Sequence, residues 1–124
     1  MGHLGIEIVR VAPGEVDLAA AFRPDLAQQH GYFHAGVTSA IADSASGYAA
    51  LSLFEPGHGV LTTEFKINLL NPAKGERLLA EGRVLKAGRT LTVCRSDVFA
   101  VDGEKRGHVA TALLTMMQVA GLND

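Results

Sequence analysis

One stretch of this 124-residue chain carries the 3.6-residue period of a helix, and everything after it alternates with a period of two. The helical run, "GVTSAIADSASGYAALSLF", spans about Gly36 to Phe54, and the Pro and two glycines of "EPGHG" stop it. In "VLTTEFKINLL" the odd positions Leu61, Phe65, Ile67 and Leu69 are apolar, while Thr62, Glu64, Lys66 and Asn68 are polar. That is the alternation of a half-buried antiparallel strand. After the turn "NPAKGE", three further strands follow, "RLLAEGRVLK", "TLTVCRSDVFAV" and "RGHVATALLTMMQV", joined by hairpin turns in "AGR" and "DGEK". Ahead of the helix, "LGIEIVRV" and "EVDLAAAF" read as two strands around "APG". The intervening "RPDLAQQHGYFH" is irregular, with one helical turn after Pro24. The late strands exceed the usual length of about 5–6 residues. One helix and a long meander bury each other best when the sheet curves around the helix. The expectation is therefore a single α+β domain over residues 1–124.

Composition narrows the function. Apolar residues make up 48% and charged residues 19%, an ordinary globular balance. A net charge of −2 argues against nucleic acid as a partner, because such proteins carry a clustered basic excess. The charge is uneven: three basic and seven acidic residues precede position 74, and eight and six follow from Lys74 onward. The second half is thus mildly anion-friendly. There is no charged leader followed by an apolar run, and no apolar stretch near twenty residues, so neither export nor membrane spanning is expected. The lone Cys94 fits a reducing compartment, and a cytoplasmic location is the expectation. Nothing adjacent in sequence would activate its thiol, which reads as a small apolar strand residue.

The helix is asymmetric. Asp43 shares a stripe with Gly36, Ser39, Ala40, Ser46, Gly47 and Ala50, all small, while Val37, Ile41, Tyr48 and Leu51 form a second stripe able to face the sheet. A glycine inside a helix costs about 1 kcal/mol relative to Ala, and close approach of another backbone or a ligand would offset it. An isolated carboxylate needs a donor if buried. A structural role for Asp43, bonded to some buried donor, and a functional one both satisfy this pattern.

Three familiar chemistries fit poorly. His30 and His34 stand four apart, as zinc-binding pairs do on helices, but they precede the helix and no Glu follows the first. The remaining histidines are scattered, and no metal site is expected. "DSASG" does not supply the G-x-S-x-G elbow of serine hydrolases. No P-loop or G-x-G-x-x-G occurs. A carboxylate working with an oxyanion-stabilising turn fits better. "HAGV" opens the helix, where free N–H groups and the positive dipole end favour developing negative charge. Asp43 lies two turns on, roughly 10 Å by rise. That is too far for both to act on one carbonyl within a chain, and two antiparallel helices across a two-fold axis would unite them.

"QQHGYFHAGVTSAIADSASGYAA" resembles the signature of hotdog-fold acyl-CoA thioesterases of the PaaI-like (phenylacetic-acid degradation) group. That signature has an Asn or Gln, then G-x-x-H-G-G, then a helical Asp or Glu nine residues after the His. His34 to Asp43 has that spacing, and Gln28 stands six residues before His34. "TTEFKINLLNPAKGERLLAEGRVLKAGRTLTVCRSDVFAVDGEKRGHVATALLTM" is similar to the family's T-x-E strand, its "PA–G" turn, its "V–GR" hairpin and its last "A–T" strand. The resemblance covers the chain from about Leu4. The hydratases and dehydratases of the same fold use D-x-x-x-x-H, which does not follow Asp43.

The resemblance implies a hotdog fold, with a long central helix wrapped by a curved antiparallel sheet. It further implies homodimers whose sheets join edge to edge, often paired into homotetramers. It implies hydrolysis of an aryl- or medium-chain acyl-CoA, coenzyme A being part of the substrate and no cofactor being needed. The competing expectation is a non-catalytic acyl-CoA-binding or scaffold protein of the same fold. Carried over by position, Asp43 matches the catalytic carboxylate, as general base or nucleophile. The Ala35 backbone N–H, with Gly36 beside it, matches the oxyanion hole. Gln28 matches the amide that orients thioester or water. Thr62 and Thr63 lie where the family has a hydroxyl, and His34 supports the turn. Lys74, Lys86, Gly88 and Arg89 are candidates for the coenzyme A phosphates. One departure stands out: His-Ala-Gly replaces His-Gly-Gly, and Ala35 would be strained by on the order of 1 kcal/mol or more if that position required positive φ.

Overall fold

A computed structural model describes residues 5–23, 26 and 32–122. Gln28 and His30, and the turn expected after Pro24, lie outside these. The strands are β1 (Ile6–Ala12), β2 (Glu15–Ala21), β3 (His58–Leu69), β4 (Arg77–Ala87), β5 (Leu91–Asp102) and β6 (Lys105–Ala120). They make one antiparallel sheet in the order β1-β2-β4-β5-β6-β3. The helix α1 (Ala35–Leu51) lies against one face of it. This is the hotdog arrangement. Among the described residues, no helix is long and apolar enough to cross a membrane.

The helix starts at Ala35 and ends at Leu51, three residues short of the expected Phe54. The chain leaves it in a turn, with the Leu53 and Phe54 amides donating to the Ala50 and Leu51 carbonyls. Its buried side is not the one the periodicity suggested. Val37 and Ile41 face the core as expected, but Tyr48 is 36% exposed, and the sheet is met by Ala42, Ala45, Ser46, Ala49 and Ala50. Ser46 and Ala50 therefore leave the Asp43 stripe. The reason is depth. Small side chains let the helix sink until its backbone rests on β4. A Cβ at Gly82 would stand 2.8 Å from the Ser46 amide nitrogen and closer still to the Ala45 carbonyl oxygen. No other residue fits under the helix at that point. The polar groups trapped there are satisfied: the Ser96 hydroxyl donates to the Ala42 carbonyl at 2.7 Å and lies 2.6 Å from the Ser46 hydroxyl. Around this seam Leu18, Leu78, Val98, Leu114 and Met116 complete the core.

Strand β3 departs from simple alternation. Its register against β6 slips between Thr62 and Glu64, so Thr63 is an extra residue in a bulge. Thr62 opposes Met116 and Phe65 opposes Leu114, both fully buried partners, so Thr62 and Phe65 share the helix side of the sheet. Parity alone had put them on opposite faces. Even so, Phe65 and Leu69 are 49% and 57% exposed, because β3 is the sheet's edge and lies beyond the helix's cover.

Gly82→Ala should lower stability by about 1–3 kcal/mol, since the helix must lift to admit one methyl group. The urea midpoint measures this. An unchanged midpoint would mean the helix does not rest on the β4 backbone.

Candidate active site

The helix that sinks onto β4 carries Asp43 on its flank, half-buried and facing the first half of β3. The Thr62 hydroxyl, turned inward ahead of the bulge, donates to Asp43 Oδ1 at 2.7 Å. Thr62 Oγ1 also lies 3.3 Å from Met116 Sδ, which pins its rotamer. Here is the donor that a structural carboxylate would require. It satisfies one oxygen only: among the described residues Oδ2 has no hydrogen-bond partner, and Asp43 lines a hollow of about 210 Å³ with Ser44, Gly47, Tyr48, Val60 and Thr62. Asp17 makes the contrast. It is 9% exposed and bonded to Arg83 at 2.7 Å, a pairing that accounts for it structurally.

The start of the helix has the complementary property. His34 is the N-cap, in extended conformation, and its side chain makes no capping bond. Its backbone holds the turn: its N–H donates to the Leu26 carbonyl, and its carbonyl accepts from the Val37 and Thr38 amides. The Ala35 and Gly36 N–H groups have no acceptor among the described residues, as expected for the first turn of a helix without a side-chain cap. No non-glycine residue among those described has positive φ, so Ala35 enters the helix unstrained and the His-Ala-Gly departure costs nothing in backbone geometry. Ala35 borders a second hollow, with Leu69, Leu70, Asn71 and Pro72 among its walls.

The two polar features are thus separated along one helix, in two hollows that share no residue. The phosphate candidates divide in the same way. Ala87, Thr92, Met116 and Thr62 form one row across the sheet, which places the Lys86–Gly88–Arg89 hairpin at the Asp43 end. Lys74 belongs to the other end, where the Phe33 amide donates to the Ala73 carbonyl and the Lys74 ammonium lies 5.8 Å from the Tyr32 ring centre. Strand β4 lies between them and spans roughly 35 Å at 3.3 Å per residue. One chain cannot gather these cations around one ligand. Thr63 is also apart from Asp43: it is the bulge residue, and its hydroxyl donates to the Thr115 carbonyl at 3.0 Å. Among the described residues no three His, Cys, Asp or Glu side chains come together. Residue periodicity did not find Tyr48 and Val60 as neighbours of Asp43. Only the depth of the helix and the path of β3 put them there.

The fold is that of the hotdog proteins. Solved structures with this fold include a thioesterase family protein of Silicibacter pomeroyi, 45% identical, with a TM-score of 0.95 over 98% of this chain and 89% of that one. The Escherichia coli PaaI protein of the phenylacetic acid degradation operon has the same fold, with a TM-score of 0.86 at 21% identity over 97% of this chain and 83% of its own. Residues 30–106 match the model of the thioesterase superfamily. Human acyl-coenzyme A thioesterase 13 is 31% identical over 94 residues, 75% of this chain and 66% of its own length. A Saccharolobus solfataricus protein, an esterase by name alone, is 36% identical over 100 residues, 81% of this chain and 65% of its own. The chain belongs to the thioesterase superfamily, and it spans about two thirds of the length of these two curated relatives.

Cys94 takes no part in this site. It is fully buried, with its thiol 3.6 Å from the Ser46 carbonyl, and burial pushes its pKa up to about 11. The native protein should resist an aromatic disulfide reagent at pH 8 and yield one thiol per chain once unfolded. The unfolded thiol ionises first as pH rises, so this residue withdraws stability between about pH 9 and 11. A Cys94→Ala variant should lose less stability over that range. Rapid labelling of the native chain would overturn the assignment.

Proposed function

We propose that this chain hydrolyses an acyl-CoA thioester in a site shared between two copies of itself. The separation of Asp43 from the uncapped Ala35 and Gly36 amides carries this reading. In a two-fold dimer with antiparallel helices, the Asp43 of one copy meets the helix start of the other. The same operation brings Lys74 of one copy to the end that holds Lys86 and Arg89 of the other. The unpaired β3 edge, with Phe65 and Leu69 exposed, is the surface that such a dimer covers, joining two sheets into one. An aryl- or medium-chain acyl group suits the apolar walls of the hollow.

In this mechanism the thioester carbonyl oxygen accepts the Ala35 and Gly36 N–H groups. Asp43, held by Thr62, takes a proton from water as the water oxygen bonds to the carbonyl carbon. The negative charge that collects on the former carbonyl oxygen is stabilised by those amides and the helix dipole. Collapse re-forms the carbonyl and breaks the C–S bond, and the proton on Asp43 passes to the leaving sulfur. The products are the carboxylic acid and free coenzyme A.

Two single variants test the shared site together. Asp43→Asn keeps shape and hydrogen bonding and should lower kcat by about 10²–10⁴. Ala35→Pro deletes one N–H at the first helical position, where Pro is tolerated and where His34 already has the extended backbone that Pro demands of its neighbour. It should cost about 10²–10³. Co-refolding the two inactive chains creates heterodimers with one intact site each, so thiol release should return to a substantial fraction of wild type. Mixtures as inactive as their parents would confine each site to one chain. Tight binding of the esters with no release by the wild type would make this a binding protein instead.

The cations are tested separately. Lys86→Ala with Arg89→Ala should raise KM for CoA esters with little change in kcat, and the effect should shrink at high salt. An unchanged KM would remove the hairpin from the site.

A further inference from the structure

Gly47 stands one helical turn beyond Asp43, in the buried part of α1, and lines the same hollow. A glycine there weakens the helix, so some constraint must favour it. At Gly82 the constraint is visible, since a Cβ would collide with the helix backbone. At Gly47 it is not. A Cβ there would meet only Val60 Cγ1, at 3.9 Å, an ordinary contact. Packing within the chain therefore does not require this glycine. What it does is leave open the stretch of the hollow between Val60 and Tyr48, with the Asp43–Thr62 pair beside it.

The space has a size and a character. An apolar protein cavity of about 150 Å³ holds a benzene ring, and this hollow measures about 210 Å³. Val60 and the Tyr48 ring give it an apolar side, and Asp43, Ser44 and Thr62 give it a polar one. An acyl group whose carbonyl lies beside Asp43 would set its next atoms where a Gly47 side chain would otherwise stand. We propose that Gly47 is the specificity-determining residue of this site: its missing side chain is the room in which a ring-sized acyl group sits, and Tyr48 walls that room. The inference rests on the reading of the Asp43 hollow as the hydrolytic site.

The test compares phenylacetyl-CoA with acetyl-CoA on wild type, Gly47→Ala and Gly47→Val. The measured quantity is the ratio of kcat/KM for the bulky ester to that for the small one, with sedimentation and melting followed in parallel. The ratio should fall about 10-fold in Gly47→Ala and about 10²-fold or more in Gly47→Val, the range that one or two misplaced methyl groups command in an apolar pocket. The Ala variant should melt no lower than wild type and keep its oligomeric state. A ratio that does not move overturns the proposal, whether both esters fall together or neither falls. So does loss of the dimer, or a lower melting temperature, in Gly47→Ala, because the glycine would then serve packing rather than the acyl group. If the wild type releases no thiol, the hydrolytic reading fails on its own. Calorimetric binding of the same two esters then decides: a weaker Kd for the bulky ester alone in Gly47→Ala upholds the proposal, and equal shifts reject it.

Discussion

The contact between the α1 backbone and Gly82 of β4 determines where everything else stands. A helix held off a sheet by Leu or Phe side chains would sit some ångströms higher. Here alanines and a serine line the interface, and the sheet offers a glycine beneath the Ala45 carbonyl. Dispersion attractions along such a seam are small singly and large together. The serine pair at Ser46 and Ser96 keeps the buried carbonyl of Ala42 satisfied within it. At this depth the flank of the helix comes level with β3, and Thr62 reaches Asp43 without a bridging group. Lift the helix, and the carboxylate loses both its donor and its hollow.

The same geometry leaves one edge of the sheet uncovered. A six-stranded sheet wraps one helix, but β3 extends past the helix's cover and turns Phe65 and Leu69 toward solvent. The edge also carries unpaired backbone groups, which proteins normally hide or blunt. Helix polarity adds a chemical reason for a second copy. The dipole places anion-stabilising amides at the Ala35 end, while the carboxylate sits two turns away. In the dimer proposed above, the two groups would face one thioester carbonyl from different chains.

Much of the architecture was legible in the chain as written. All six strands and the helix fall within a few residues of the expected positions, because periods of two and 3.6 report directly on which side of an element is buried. The turns were legible for the same local reason: "DGEK" closes β5 onto β6 with Gly103 at positive φ. The miscounts are also physical. Tyr48 belonged to the apolar stripe by spacing, yet an aromatic cannot enter a seam only an alanine deep, and it lies at the rim of the hollow instead. Phe65 and Thr62 differ in parity but share a face, because one extra residue at Thr63 resets the alternation. A bulge leaves no mark in the hydrophobic pattern by which it could be foreseen.

What the sequence determined by itself was the inventory and its order: one helix opening within "HAGV", six strands and a lone carboxylate at Asp43. These follow from local sterics, side-chain period and turn chemistry, which act over a few residues. Tertiary structure alone decided that Thr62 would be the donor to Asp43, that Gly47 would border open space rather than packed atoms, and that Lys74 and Arg89 would stand at opposite ends of the sheet. Each of these depends on how deeply the helix sinks and where β3 slips its register. Depth and register are set by contacts between residues tens of positions apart, as Ala45 with Gly82 and Thr62 with Met116, and no local pattern encodes them.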